Sequence, residues 1–208
     1  MDLQSLAVFA VACLAINLIP GPDVIYIVSN TMKGKMSAGL KAALGLGTGY
    51  FVHTIAACLG LSAIILSSAF AFSVVKWLGA VYLVYLGVQS LLSMWRGDSQ
   101  LQVKQTEVAA GNVFMQGVLV SVLNPKVALF FLSFLPQFVD LSAQSTSLQI
   151  LMLGMLFSAL ATVCNLIYAV AGSWLFNRPN AKRYSRALEG VSGVLLLGLA
   201  GKVIASEK

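Results

Sequence analysis

NVFMQGVLVSVLNPKVALFFLSFLPQFV, residues 112–139, carries a single charge, Lys126, near its centre. A helix needs roughly 20 apolar residues to cross the hydrocarbon core of a bilayer, so the stretch reads as a membrane span. Its middle is irregular. Asn124-Pro125-Lys126 sets a residue without an amide donor beside a charge, about twelve residues from either end and hence at the greatest depth in lipid.

Five further runs of comparable length flank it, at 3–30, 39–68, 72–94, 148–176 and 187–204, with a soft boundary between the second and third across 68–72. Of 208 residues 59% are hydrophobic and 10% charged, against about 25% charged in a soluble domain, too few to cover a water-exposed surface. A β-barrel would alternate apolar and polar residues over segments of about ten, a pattern this chain lacks. The expected fold is an all-α integral membrane protein of about six transmembrane helices. The first run opens on Met1-Asp2 with no basic residue and exceeds a signal-peptide core of about 7 to 15 residues, so it is expected to be a span.

Basic residues set the orientation. Lys33, Lys35, Lys41, Arg96, Lys104, Arg178, Lys182, Arg183 and Arg186 follow spans one, three and five, whereas Lys76, Lys202 and Lys208 fall on the other side. The positive-inside rule then places the odd connections in the cytoplasm and both termini outside. The net charge of +6 follows from this bias, and no basic patch is interleaved with aromatics as nucleic-acid binding would require. Cys13, Cys58 and Cys164 stand singly in three spans, so there is no CxxC pair for zinc or redox chemistry and no metal or cofactor is expected.

The polar stretch 96–110, RGDSQLQVKQTEVAA, divides one transmembrane domain, 1–208, into halves of three spans, about 1–95 and 111–208. An odd number of crossings per half makes any repeat an inverted-topology repeat, a transporter architecture. Pro20 and Pro125 hold similar places in the two halves, and the glycine spacing of 79–87 matches that of 190–198. The first half has its own break in span one, Asn17-Leu18-Ile19-Pro20-Gly21-Pro22-Asp23. Corresponding interruptions in two halves point to a substrate site, because freed backbone groups at that depth survive only beside protein or a water-filled cavity.

Asn124-Pro125 reads as an N-cap with proline at the first helical position, so span four restarts there as a half-helix whose positive end suits a carboxylate. Lys126 adds a full charge. It would have to cover about 18 Å of helix to reach either surface, and charge at that depth costs about 2.5 to 3.5 kcal/mol on an insertion scale, which marks it as a site residue. Asp23, after Pro22, either satisfies the first turn of a restarted helix or meets a substrate ammonium or a proton. His53 ends the stripe Gly45-xxx-Gly49-xxx-His53, whose glycines favour close helix packing; the imidazole either shuttles protons or bonds another helix. Asn165 and Tyr168 share a face of span five and offer neutral hydrogen bonds, for binding or for helix association. The candidate substrate-binding set is therefore Asn17, Pro20, Gly21, Pro22, Asp23, Asn124, Pro125, Lys126, Asn165 and Tyr168, with Asp23 and His53 as candidates for proton coupling.

These motifs carry a resemblance. Asn17-xx-Pro20-Gly21-Pro22, Gly45-xxx-Gly49, Tyr82-Leu83-xx-Leu86-Gly87 and Asn124-Pro125-Lys126-xx-Leu129-Phe130-Phe131 followed by Leu135-Pro136-Gln137-Phe138 resemble the LysE superfamily, over nearly the whole chain and closest to its RhtB branch of homoserine, threonine and leucine exporters. The resemblance implies a proton-driven exporter of a small neutral amino acid or related metabolite in a bacterial inner membrane, and leaves homo-oligomerisation open. A non-transporting scaffold or channel is the rival class. An embedded enzyme is a weaker rival: of the acids only Asp23 is clearly embedded, one histidine precludes bis-histidine haem ligation within the chain, and no GxxxxGK[ST] is present.

Overall fold

In a computed structural model, residues 3–19, 21–67, 69–96, 112–140, 145–176 and 181–205 are described, and among them all regular structure is helical. Helix α1, Leu3–Leu18, stops at the Pro-Gly-Pro segment; α2, Pro22–Ser67, starts on that segment's second proline; α3 spans Ala69–Arg96. In the second half α4, Val113–Val122, and α5, Pro125–Leu129, are separated by Leu123 and Asn124, and α6, Thr146–Phe176, and α7, Ala181–Ala205, follow. The stretch 96–110 lies outside the described residues except for Arg96.

Helix α2 folds back on itself. The Tyr50 hydroxyl lies 2.7 Å from an Asp23 carboxylate oxygen, 27 residues earlier, although a straight helix would separate them by about 40 Å. Gly39 likewise sits against Thr31. The reversal falls between the limbs Pro22–Met32 and Met36–Gly60, in the gap expected between spans one and two.

Among the described residues two helices, Met36–Gly60 and Thr146–Ala171, are long and apolar enough to cross a membrane, and there are up to four such spans if each bent pair counts as one. Those pairs, Leu3–Leu18 with Pro22–Met32 and Val113–Val122 with Pro125–Phe138, bend by 55° and 45° at the two breaks foreseen from sequence. The second pair holds one irregularity not foreseen. After α5 the backbone passes through a π turn, Phe130–Phe134, into a 3-10 turn, Leu135–Phe138. Pro136 has no N–H to give the Leu132 carbonyl, so the α-helical ladder cannot continue through it.

Small residues set the packing. Gly45 faces the Phe114 carbonyl and Gly117, and Gly49 faces Ser121 and Val118, so the long limb of α2 runs parallel to α4. Against α6 it pairs Gly39 with Ala169, Gly47 with Thr162 and Thr54 with Gly154, an antiparallel register. Helices α3 and α7 are antiparallel too, with Gly87 beside Leu197, Gly193 beside Leu91 and Gly190 beside Met94. In lipid, association depends on close van der Waals contact of this kind rather than on apolar burial from water. The 190–198 glycine spacing does not translate into equal contacts, since Gly198 meets nothing within 4 Å. Phe9 of α1 reaches Phe130, Phe134 and Phe138, and Phe130 stacks on Phe157 of α6 at 4.7 Å, so an aromatic cluster joins the two halves behind the breaks. Leu44, Phe51, Val52, Ile55, Leu59, Leu78, Val81, Val163, Ile167 and Val170 face outward, an apolar surface suited to lipid.

Candidate functional site

The two breaks meet. At the second, Asn124 is extended and its side-chain oxygen accepts from the Lys126 amide at 3.0 Å, with Pro125 at the first helical position, the cap expected from sequence. That bond fixes the amide orientation: with the oxygen engaged, the nitrogen points away and donates to Asp23 Oδ1. Asp23 Oδ2 accepts from the Tyr50 hydroxyl at 2.7 Å, and the Tyr50 oxygen accepts from Asn165 Nδ2 at 2.9 Å. All four side chains are buried. A carboxylate is thus held by two donors beside the amino ends of two restarted helices, one beginning at Pro22 and the other at Pro125.

At the first break the prolines decide which carbonyls are orphaned. In a continuous helix the Ile16 carbonyl would accept from residue 20 and the Leu18 carbonyl from residue 22, both prolines without N–H groups. The donors come from elsewhere. Lys126 Nζ donates to Ile16 O at 3.3 Å and to Ile19 O at 3.2 Å, and the Tyr168 hydroxyl donates to Leu18 O at 3.2 Å. Gly21 makes room, since a β-carbon there would lie 3.1 Å from Lys126 Nζ. The negative end of the α1 dipole therefore receives a cation.

Of the sequence candidates, Asp23, Asn124, Lys126, Asn165 and Tyr168 join this assembly directly, and Gly21 joins it through its bare backbone. Asn17 is buried but donates within its own helix, to Cys13 O at 2.7 Å. The rings of Pro22 and Pro125 are exposed, so both act through the backbone. Pro20 lies outside the described residues. His53 makes its contacts with the second half: its Nε2 is 3.1 Å from Ser121 O, and its ring stacks on Phe131 at 5.6 Å. It ends the glycine stripe against α4, one turn before the second break.

Tyr50, fully buried between Asp23 and Asn165, was not among the sequence candidates. A hydroxyl at mid-span depth between Gly49 and His53 was the available signal, because a buried tyrosine normally finds a polar partner. Glu189, read from sequence as outside the embedded set, is buried where α7 meets α3, and Ser90 Oγ donates to its backbone oxygen at 2.8 Å. No group of three or more metal-ligating side chains occurs among the described residues. The assembly holds an anion, the Asp23 carboxylate, between two restarted helices and a cation, the Lys126 ammonium, at a helix carbonyl end.

Over residues 14–207 the chain matches the LysE type translocator family. It is 34% identical over 196 residues to the uncharacterized membrane protein YrhP of Bacillus subtilis, covering 89% of this chain and 91% of that one. It is 26% identical over 197 residues to the leucine efflux proteins of Salmonella typhimurium and Salmonella typhi, covering 94% of this chain and 92% of each relative. No solved structure matches it.

Proposed function

This chain belongs to the LysE type translocator family, and we propose that it is a multi-pass secondary transporter of the RhtB type that exports small neutral amino acids or related metabolites across a bacterial inner membrane, driven by the proton motive force. One observation carries the reading: two broken helices bring a lysine ammonium and an aspartate carboxylate into one polar assembly, each held at a helix end of opposite sign. Neither a scaffold nor an enzyme requires such an arrangement.

The leucine efflux proteins among its relatives support an amino-acid substrate. The antiparallel registers of the Met36–Gly60 limb with α6 and of α3 with α7 support six spans in two inverted repeats, because spans equivalent by inversion must run in opposite directions. In this reading Lys126 takes the substrate carboxylate, Asp23 takes the substrate ammonium or a proton, and His53 is a second proton-carrying candidate. Tyr168 and Asn165 brace the first break from α6, through Leu18 O and through Tyr50.

Counterflow of radiolabelled leucine, threonine and homoserine in vesicles containing the purified protein, with and without a proton gradient, tests the function. Saturable exchange that the gradient drives into accumulation is the expected result. A scaffold or an enzyme gives no exchange above empty vesicles, and a channel gives flux that does not saturate and does not accumulate solute.

A further inference from the structure

We propose that the carbonyl end of α1, formed by the oxygens of Ile16 and Ile19 beside Gly21, is the seat for the transported solute's primary ammonium group, and that Lys126 stands in for that ammonium in this structure. The proposal rests on the exporter reading above. It assigns the ammonium to backbone atoms and thereby frees Asp23 for a proton.

The stand-in is itself the evidence for ligand chemistry. An ammonium group lies within hydrogen-bond distance of two carbonyls, one of them deprived of its helical donor by a proline. A third carbonyl, that of Leu18, is satisfied by Tyr168, which leaves two for a cation. The dipole end is negative, so the seat selects positive donors. The bare α-carbon of Gly21 provides the clearance, for a β-carbon would sit 3.1 Å from the ammonium nitrogen.

The current occupant can leave. Lys126 is a long, half-buried side chain that reaches the seat from another helix, so it can withdraw by rotamer change without unwinding α5. An amino-acid zwitterion would exchange partners with it. The solute ammonium takes the two carbonyls, and the displaced lysine ammonium meets the solute carboxylate. The solute ammonium keeps carbonyl acceptors at the helix end and the lysine gains a carboxylate, so the swap leaves neither cation without acceptors in the membrane interior. A solute bearing only one of the two groups cannot complete the exchange: a simple amine competes with Lys126 and leaves it unpaired, whereas a hydroxy acid offers the carbonyls one neutral O–H donor in place of a charged group.

The test titrates 3-methylbutylamine, an ammonium without a carboxylate, into detergent-purified wild-type protein and Lys126→Met by calorimetry, with 3-methyl-1-butanol as the neutral control. Removing the stand-in should tighten amine binding about tenfold or more and leave the alcohol unchanged. Amine binding that is unchanged or weaker in the variant, or an equal gain for the alcohol, which would signal only a vacated volume, overturns the seat. Wild-type protein supplies an arm that needs no substitution. In leucine counterflow, 2-hydroxy-4-methylpentanoate, which replaces the ammonium by a hydroxyl, should compete about tenfold more weakly than leucine, and equal competition overturns the proposal. Absence of leucine, threonine and homoserine exchange would instead overturn the exporter reading, and the amine titration would then decide the seat by itself.

Discussion

The Tyr50 hydroxyl donates to Asp23 Oδ2 at 2.7 Å while accepting from Asn165 Nδ2, so the two limbs of α2 are tied together and to α6 through one carboxylate. Tyr50→Phe keeps the ring edge against Phe157 and deletes this bond. A hydrogen bond to a charged group contributes about 1.5 to 3 kcal/mol. Exchange by the variant should fall by roughly tenfold or more. In an Asp23→Asn background the same substitution should cost much less, because Tyr50 acts through Asp23. A complete double-mutant cycle of counterflow rates checks this, and additive losses would assign Tyr50 a packing role only.

Gly45 permits the α2–α4 contact, since a β-carbon there would run into the Phe114 carbonyl and lie 3.2 Å from Gly117 Cα. Gly45→Ala should therefore lower the thermal midpoint of the detergent-solubilised protein, with a penalty of about 1 to 3 kcal/mol. Gly198→Ala, where nothing lies within 4 Å, should be neutral or stabilising by up to about 1 kcal/mol through helix propensity. Equal midpoints for the two variants would mean that the close crossing at Gly45 does not hold the helices together.

The second break was legible from local chemistry alone. Asn124, Pro125 and Lys126 are consecutive, and the cap they form depends on no distant partner. The α2 reversal was legible for a similar reason, because the polar residues between the two apolar runs mark it. What the chain conceals is who occupies each seat. Lys126 read as a partner for a substrate carboxylate, yet it holds backbone oxygens of Ile16 and Ile19, and backbone acceptors have no residue-type signature. Counting four residues back from Pro20 and Pro22 would have exposed two of the orphaned carbonyls, those of Ile16 and Leu18. Tyr50 escaped because its partner is 27 residues away on a helix that doubles back. Asn17 closes its amide nitrogen on its own helix, at Cys13 O.

Coupling is expected to run through an ionisable group beside a break. Asp23→Asn combined with His53→Gln should leave solute exchange measurable while abolishing accumulation driven by a pH gradient. Gradient-driven accumulation at the wild-type level in the double variant would exclude both residues as the proton carrier.

The orientation expected from nine basic residues on one side of the expected spans against three on the other is testable. Reporter fusions after Lys35, Arg96 and Arg178 should report cytoplasm, and a fusion after Lys208 should report the outside. A cytoplasmic signal at Lys208 would refute the six-span arrangement, with 68–72 the first place to look for the error.

Lys126→Met tests the site most directly. If the lysine were incidental, replacing a charge in the membrane interior by a methionine of similar length would be neutral or stabilising. If it receives the solute carboxylate, the variant loses a charge-assisted contact worth about 1.5 to 3 kcal/mol. The decisive measurement is the initial rate of amino-acid counterflow in vesicles carrying equal amounts of correctly inserted wild-type and Lys126→Met protein. A fall of roughly one to two orders of magnitude is predicted, and a wild-type rate in the well-inserted variant would contradict the account.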